Sequence, residues 1–281
     1  MKRFYCCRKI GCRTGHCANG LFRPGHDFGS SAMQLVTKPE VLALSGEKTF
    51  NNEFGQVWFY FDRDIDYPAT IIDADQLARV DLDSYNTLCK LLITSFNFDE
   101  TTLGKISKWV SAGGRLIAIG AANRSLAGKE GFALAKYAKE EDEKAAKSEA
   151  EEIALDHRTS IYKDRIRASL ADNMPGAVVR AKMDNSHPLG FGMKDYYFSL
   201  KTSDSFYDLV KGAWNVGYLE DGFLSHGFIG SNLKKNMNGS TVFAVQDKGR
   251  GKVVYLIDNP LFRSFWEEGK LVFSNAVFLV N

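Results

Sequence analysis

The densest run of side chains able to bind a metal lies at the N-terminus. Cys7, Cys12 and Cys17 are spaced C-x4-C-x4-C, with Cys6, His16 and His26 nearby. Zinc needs about four converging ligands, and its usual knuckle is C-x2-C, whose tight turn aims both sulfurs inward. That knuckle is absent, which weighs against a metal site. Gly11, Gly15, Gly20, Gly25 and Gly29 interrupt any regular element, so a flexible basic arm is the second reading. The third, which we favour, is that this segment is not native to the rest of the chain and arose from a displaced start or out-of-frame translation. Elsewhere the common catalytic signatures are missing. The five histidines are followed at the third position by Asn19, Gly29, Ser160, Gly190 and Ile229, so there is no H-x-x-E pair and no HExxH. There is no G-x-S-x-G elbow, no Walker A and no G-x-G-x-x-G. Gly249-Arg-Gly251 lies between two strand-like runs rather than ahead of a helix, so it is no phosphate cradle.

Charge divides the chain in the same place. The 281 residues carry 36 Lys/Arg and 34 Asp/Glu, a net +2 too small to mark a nucleic-acid binder. Residues 1–30 hold six bases (Lys2, Arg3, Arg8, Lys9, Arg13, Arg23) against Asp27, so the rest is slightly acidic. Cys89 is the body's lone cysteine, so the body does not rest on disulfides. No run approaches the roughly 18 apolar residues of a membrane span. Arg8, Lys9 and Arg13 interrupt the stretch where a signal peptide would be apolar, which leads to a cytoplasmic expectation for the chain as it stands.

The elements that would position a site alternate strand with helix. Val41-Leu-Ala-Leu-Ser45 reads as a buried parallel strand turning at Gly46. Phe54, Val57, Trp58 and Phe61 recur at helical spacing over 51–61, with Asn51 or Asn52 as the cap. Strands come next at 68–72 and 87–94. Asp99 opens a helix with an apolar face of Leu103, Ile106, Trp109 and Val110, ended by Gly113-Gly114. Leu116–Ile119 is a fourth strand. A charged helical insertion spans about 129–170, read as a solvated face with i,i+4 ion pairs. A strand over 177–183 precedes aromatic, glycine-rich short strands and loops over 196–230. The runs 241–245 and 253–257 form a hairpin around Asp247–Gly251, and 271–279 is a closing helix. This alternation predicts a single domain with a parallel sheet and helices on both faces.

Three groups of segments together resemble one family: Tyr85-Asn-Thr-Leu with Lys108-Trp-Val-Ser-Ala-Gly-Gly-Arg-Leu-Ile-Ala-Ile-Gly120; Asn173-Met-Pro-Gly-Ala-Val with Lys182-Met-Asp-Asn-Ser-His-Pro-Leu-Gly-Phe-Gly192; and Gly249-Arg-Gly-Lys-Val-Val-Tyr-Leu-Ile-Asp-Asn-Pro-Leu-Phe-Arg-Ser-Phe-Trp266. They look like the C-terminal, class I glutamine amidotransferase-like domain of bacterial zinc carboxypeptidase-like proteins common in Bacteroidetes. The resemblance covers about residues 38–281. It implies an α/β, flavodoxin-like three-layer sandwich with a mainly parallel sheet, preceded by a basic arm of 1–37. It also implies an exported parent protein, at odds with the missing export signal. Zinc is expected only in the family's peptidase domain, which residues 1–30 cannot replace, so a truncated or split gene is the expectation.

The resemblance implies no catalysis by this chain. Amidotransferases carry a nucleophilic cysteine after the strand that ends here in Ile119, and the matching residue is Gly120. Their histidine comes after the last strand, where this chain has Asp258-Asn259-Pro260. Without thiol and imidazole there is no thiolate to activate. Cys89, inside a strand, is expected to be buried and inert. The expectation is therefore a non-catalytic binding or scaffold domain, without cofactor, whose partner is a carboxypeptidase domain or a peptide. The alternative is a zinc metallocarboxypeptidase whose catalytic domain is encoded upstream. In open α/β sheets the ligand crevice lies beyond the strands' carboxyl ends. The residues expected there are Ser45, Gly46, Thr94, Ser95, Asn97, Gly120, Asn123, Arg124, Asp258, Asn259 and Arg263. The turn after Gly120 is expected to open a helix whose free N–H groups favour an anion or a carbonyl oxygen.

Overall fold

Four largely buried runs, β1 (Val41–Ser45), β3 (Thr87–Lys90), β4 (Arg115–Ile119) and, further along the chain, β10 (Gly251–Leu256), form a parallel block whose edge is the more exposed β2 (Ala69–Asp73). The computed structural model describes residues 36–90, 98–135, 170–171 and 173–280. The arm of 1–35, the stretch 91–97 and most of the charged insertion (136–169) lie outside the described residues. The chain divides into two units at Thr37/Lys38, and the sheet lies in the second.

The five strands are parallel and ordered β2-β1-β3-β4-β10. That is the 2-1-3-4-5 order of a flavodoxin-like fold, with its switch point between β1 and β3. β1 crosses to β2 in one direction and β3 to β4 in the other, so right-handed crossovers put their helices on opposite faces. On one face α1 (Asn51–Phe59) runs into a π-helical turn, Tyr60–Asp64, which packs on α4 (Glu267–Phe278). The Tyr60 and Phe61 rings meet Phe273 edge-on at 5.0 and 5.8 Å, and the Tyr60 hydroxyl lies 2.6 Å from Ser274 Oγ. Arg115 fixes the far end of α4 by donating from Nη1 to the Val277 and Ala276 carbonyls. On the other face lies α2 (Glu100–Ser111). Asp99 caps it by accepting from the Thr102 N–H, and its buried face contains Leu103, Ile106, Trp109 and Val110. Lys105 Nζ reaches across to the carbonyls of Leu77, Ala78 and Val80. Gly113 (φ +127°) ends the helix, and a Cβ at Gly114 would strike the Trp109 ring.

One local expectation is corrected. The α1 cap is Phe50, with no side-chain capping bond, and Asn51 and Asn52 are the first exposed helical residues. Phe50 is the last extended residue (φ −72°, ψ 112°), so Asn51 is already helical and its side chain stands past the capping position. The sheet is parallel at its centre, as expected, and carries an antiparallel extension. β9 (Thr241–Lys248) pairs antiparallel with β10 across Gly249-Arg250. Beyond it β7 (Trp214–Tyr218), β5 (Gly176–Met183) and β6 (Tyr196–Lys201) are added antiparallel, with β8 (Ser225–Phe228) on β5. A short helix, α3 (Ser231–Asn236), separates β8 from β9.

This antiparallel half curls. β6 stands four strands from β10, about 19 Å away in a flat sheet at about 4.8 Å per strand. Yet Lys201 Nζ lies 2.9 Å from Asp258 Oδ1, just past β10, and Ser199 Oγ lies 2.5 Å from Asp258 Oδ2. A side chain spans only a few of those ångströms, so the sheet bends until β6 faces the end of β10.

Candidate functional site

The turn after β4 is the position that the sequence resemblance aligns with a nucleophile. Gly120 occupies it with φ +55°, the left-handed conformation that glycine adopts without a Cβ penalty. It opens a six-residue 3-10 helix, Gly120–Ser125, rather than the expected α-helix. A Cβ on Gly120 would lie 3.4 Å from Glu53 Oε1. Glu53 comes from the first turn of α1, directly beyond β1, so the two loops meet above the carboxyl ends of β1 and β4. The Glu53 carboxyl has no hydrogen-bond partner among the described residues, and its Oε2 is fully buried. Burial pushes its pKa up to about 7, because taking a carboxylate out of water without a partner disfavours the charged form.

The neighbouring groups come from the end of β10. Asn259 Nδ2 donates to Gln56 Oε1 at 2.7 Å, one helical turn beyond Glu53, and Asn259 Oδ1 accepts from the Leu261 N–H. Asn123, fully buried, donates from Nδ2 to the carbonyls of Gly120 (2.9 Å) and Leu256 (2.8 Å), joining the β4 turn to β10. Its Oδ1 is buried without a partner among the described residues. Gly120 thus adjoins Glu53, Asn123 braces the Gly120 turn, and Asn259 holds the same helix one turn on.

The other expected positions go elsewhere. Ser45 Oγ donates to the Ile72 carbonyl at 3.0 Å. Gly46, at φ +100°, is covered by the Asp73 carboxylate, which leaves no room for a Cβ. Arg124 Nη2 lies 3.4 Å from Ser205 Oγ, and Asp258 is held by Lys201 and Ser199. Arg263 is exposed at φ +49° and lies over the Phe262 ring. Thr94, Ser95 and Asn97 lie outside the described residues.

Sequence reasoning missed Glu53 because an acid in a first helical turn ordinarily reads as a partner of the helix dipole. It also missed Lys90. This lysine ends β3 fully buried, with Nζ 2.6 Å from Ser125 Oγ and 5.0 Å from the Phe98 ring centre, and burial pulls its pKa down to about 7. Cys89 is fully buried, with its thiol pushed up to about 12 by burial, as an inert cysteine should be. Among the described residues no three His, Cys, Asp or Glu side chains converge as for a metal, and no helix is long and apolar enough to cross a membrane. Two surface hollows, one between α1 and β2 and one beside α2, are not lined by Glu53, Gly120 or Asn259. The unpartnered carboxyl, not a large cavity, is what marks this cluster.

No protein-family profile matches the chain, and no curated protein matches it. Solved structures similar to it include a ThuA-like protein from Bacteroides uniformis, 11% identical with TM-score 0.47, covering 88% of this chain and 94% of that one. A second ThuA-like protein, from Parabacteroides merdae, is 11% identical with TM-score 0.46, covering 85% and 89%. A third structure is a cytoplasmic protein from Salmonella typhimurium, 12% identical with TM-score 0.44, covering 85% and 97%. The fold assignment stands on the strand order itself.

Proposed function

We propose that residues 38–281 form a non-nucleophilic binding domain on an amidotransferase-like framework, in which the Glu53 carboxyl meets a ligand oxygen beside Gly120. The observation that carries this reading is Gly120 itself: it takes a left-handed turn after β4 with no side chain to attack a carbonyl, and an unpartnered carboxyl faces it. An anion, the ligand first expected at this turn, meets an acid there. A neutral carbonyl oxygen fits better, because a protonated carboxyl donates to it. On the sequence resemblance, the natural ligand is a peptide segment, presented by or belonging to a zinc carboxypeptidase-like partner.

The test is an NMR titration of the full chain with N-acetylglycine amide at pH 6 and pH 8. Shifts centred on Glu53, Gly120 and Asn259 at pH 6, weakened at pH 8, are expected. In Glu53→Gln the shifts should no longer depend on pH. Shifts mapping elsewhere, or turnover of glutamine by the chain, would overturn the reading.

The same carboxyl governs stability. Between about pH 4.5 and 7 the folded state holds a proton on Glu53 that the unfolded chain has lost. Stability from this group is therefore full at low pH and falls as pH rises through that window. Glu53→Gln is expected to match the wild type at pH 4.5 and to exceed it by about 2–3 kcal/mol at pH 8. Urea midpoints at the two pH values check this.

A further inference from the structure

We propose that the groove between α1 and the free edge of β2 binds an extended peptide as an added strand, with aliphatic side chains in the groove and one Lys or Arg opposite Asp66. The groove encloses about 390 Å³, and Phe54, Trp58, Phe61, Asp66, Ala69 and Ile71 are among its lining. Trp58 is 40% and Ile71 42% exposed, unusual for large apolar side chains that share one hollow. Ala69 and Ile71 sit two apart on β2, so they present one face, and Ile71 pairs with Ala43, another lining residue.

The open edge specifies the shape of the occupant. Among the described residues β2 ends the sheet and pairs only with β1, in a register without a bulge. Ala69-Thr-Ile-Ile-Asp73 contains no lysine and no proline, the usual devices against edge pairing. Its outward backbone groups are a ladder for a further strand, and alternate side chains of that strand would lie over Trp58 and Ile71. The wall opposite is the π-helical turn Tyr60–Asp64, a rare conformation that recurs at functional positions. It leads to Asp66 in the left-handed region, φ +48°.

Charge specifies the sequence of the occupant. Asp62 already pairs with Arg63 at 3.0 Å, whereas Asp66 has no ion-pair partner among the described residues. Residues 62–75 carry five aspartates and one arginine; Asp62, Asp64 and Asp75 pair with Arg63, Lys270 and Lys48, which leaves Asp66 and Asp73 without an ion-pair partner among the described residues. Pairing this edge with a second copy of itself would set these acids against each other, which favours a basic peptide over a dimer.

The test uses the full chain and fluorescein-labelled acetyl-Lys-Val-Thr-Val-Thr-Val-amide, read by anisotropy. Saturable binding is expected, weakened about tenfold when glutamate replaces the lysine. Asp66→Lys should reverse that preference. Asp66→Asn, which suits the left-handed backbone, should erase it and covers the case in which lysine disrupts the turn. N-methylating one alternate set of peptide amides should abolish binding while the other set is tolerated, as only edge pairing demands. Ile71→Glu should weaken binding with the melting temperature unchanged. No saturable binding, equal effects of the two methylated sets, or an unchanged preference in both Asp66 variants would overturn the proposal. So would sedimentation showing that Ile71→Glu dissolves a dimer.

Discussion

Lys90→Met is expected to make the protein more stable at pH 6, by about 3 kcal/mol. Lys90 is fully buried, and among the described residues its amine has one hydrogen bond, to Ser125 Oγ, and the face of Phe98. Its folded-state pKa is about 7 against 10.5 for a free lysine. Between those values the unfolded chain binds a proton that the folded chain does not, so wild-type stability should rise as pH climbs from 7 towards 10.5. Below pH 7 the folded state carries a cation in an apolar site, at a cost of about 4–5 kcal/mol. Methionine matches the length of lysine without its charge, so it removes that cost and gives up roughly 1 kcal/mol of hydrogen bonding. Urea unfolding at pH 6, 8 and 10 should show the gain shrinking until the two proteins converge. A methionine variant weaker than the wild type at pH 6, or a wild-type midpoint flat from pH 7 to 10, would contradict this account.

Lys201→Met should have the opposite sign. Lys201 is fully buried and Asp258 nearly so, and they meet at 2.9 Å with Ser199 as the carboxylate's second partner. Removing one member of a buried pair leaves the other charge in a dry site, at a cost of about 3–5 kcal/mol. Replacing both, as Lys201→Met with Asp258→Leu, should recover much of the loss, because the unpaired charge goes too. A double variant weaker than the wild type would show that the pair supplies more attraction than its desolvation consumes, and one no more stable than Lys201→Met would refute the cost assigned to the lone Asp258. These residues hold the curled antiparallel half against the end of β10. The single variant should therefore also raise amide exchange in β6 more than in β1.

Much of the parallel half was legible in the sequence. β1 and β4 are continuous apolar runs, α2 has its Asp99 cap and Gly113 stop, and Gly249-Arg250 is a plain hairpin turn. These signals are local, and local signals survive without tertiary information. The curl was not legible. β7 is bulged around Gly217, β8 is almost wholly exposed along its length, and β6 buries a serine and a lysine where an apolar pattern would have been informative. Only a contact across distant strands explains Ser199 and Lys201. The candidate site divides in the same way. Gly120 and Asn259 could be placed because they come directly after recognisable strands. Glu53 and Lys90 could not, because a charged residue in a helix's first turn or at a strand's end reads as solvated until burial is known.

The position of β10 has a consequence for biosynthesis. Among the described residues β10 comes last in sequence yet lies centrally: its Lys252 pairs with Arg115 of β4 on one side and Asp247 of β9 on the other. Until residues 251–256 leave the ribosome, a nascent chain can assemble β1 to β4 but must hold the inner edge of β4 open. That edge is wholly apolar beyond Arg115 and is just the surface that misassembles when a chain waits half-made. Long-range pairing of this kind is slow to form. A chain arrested before Gly251 would therefore be a client for holding chaperones, not a smaller folded protein.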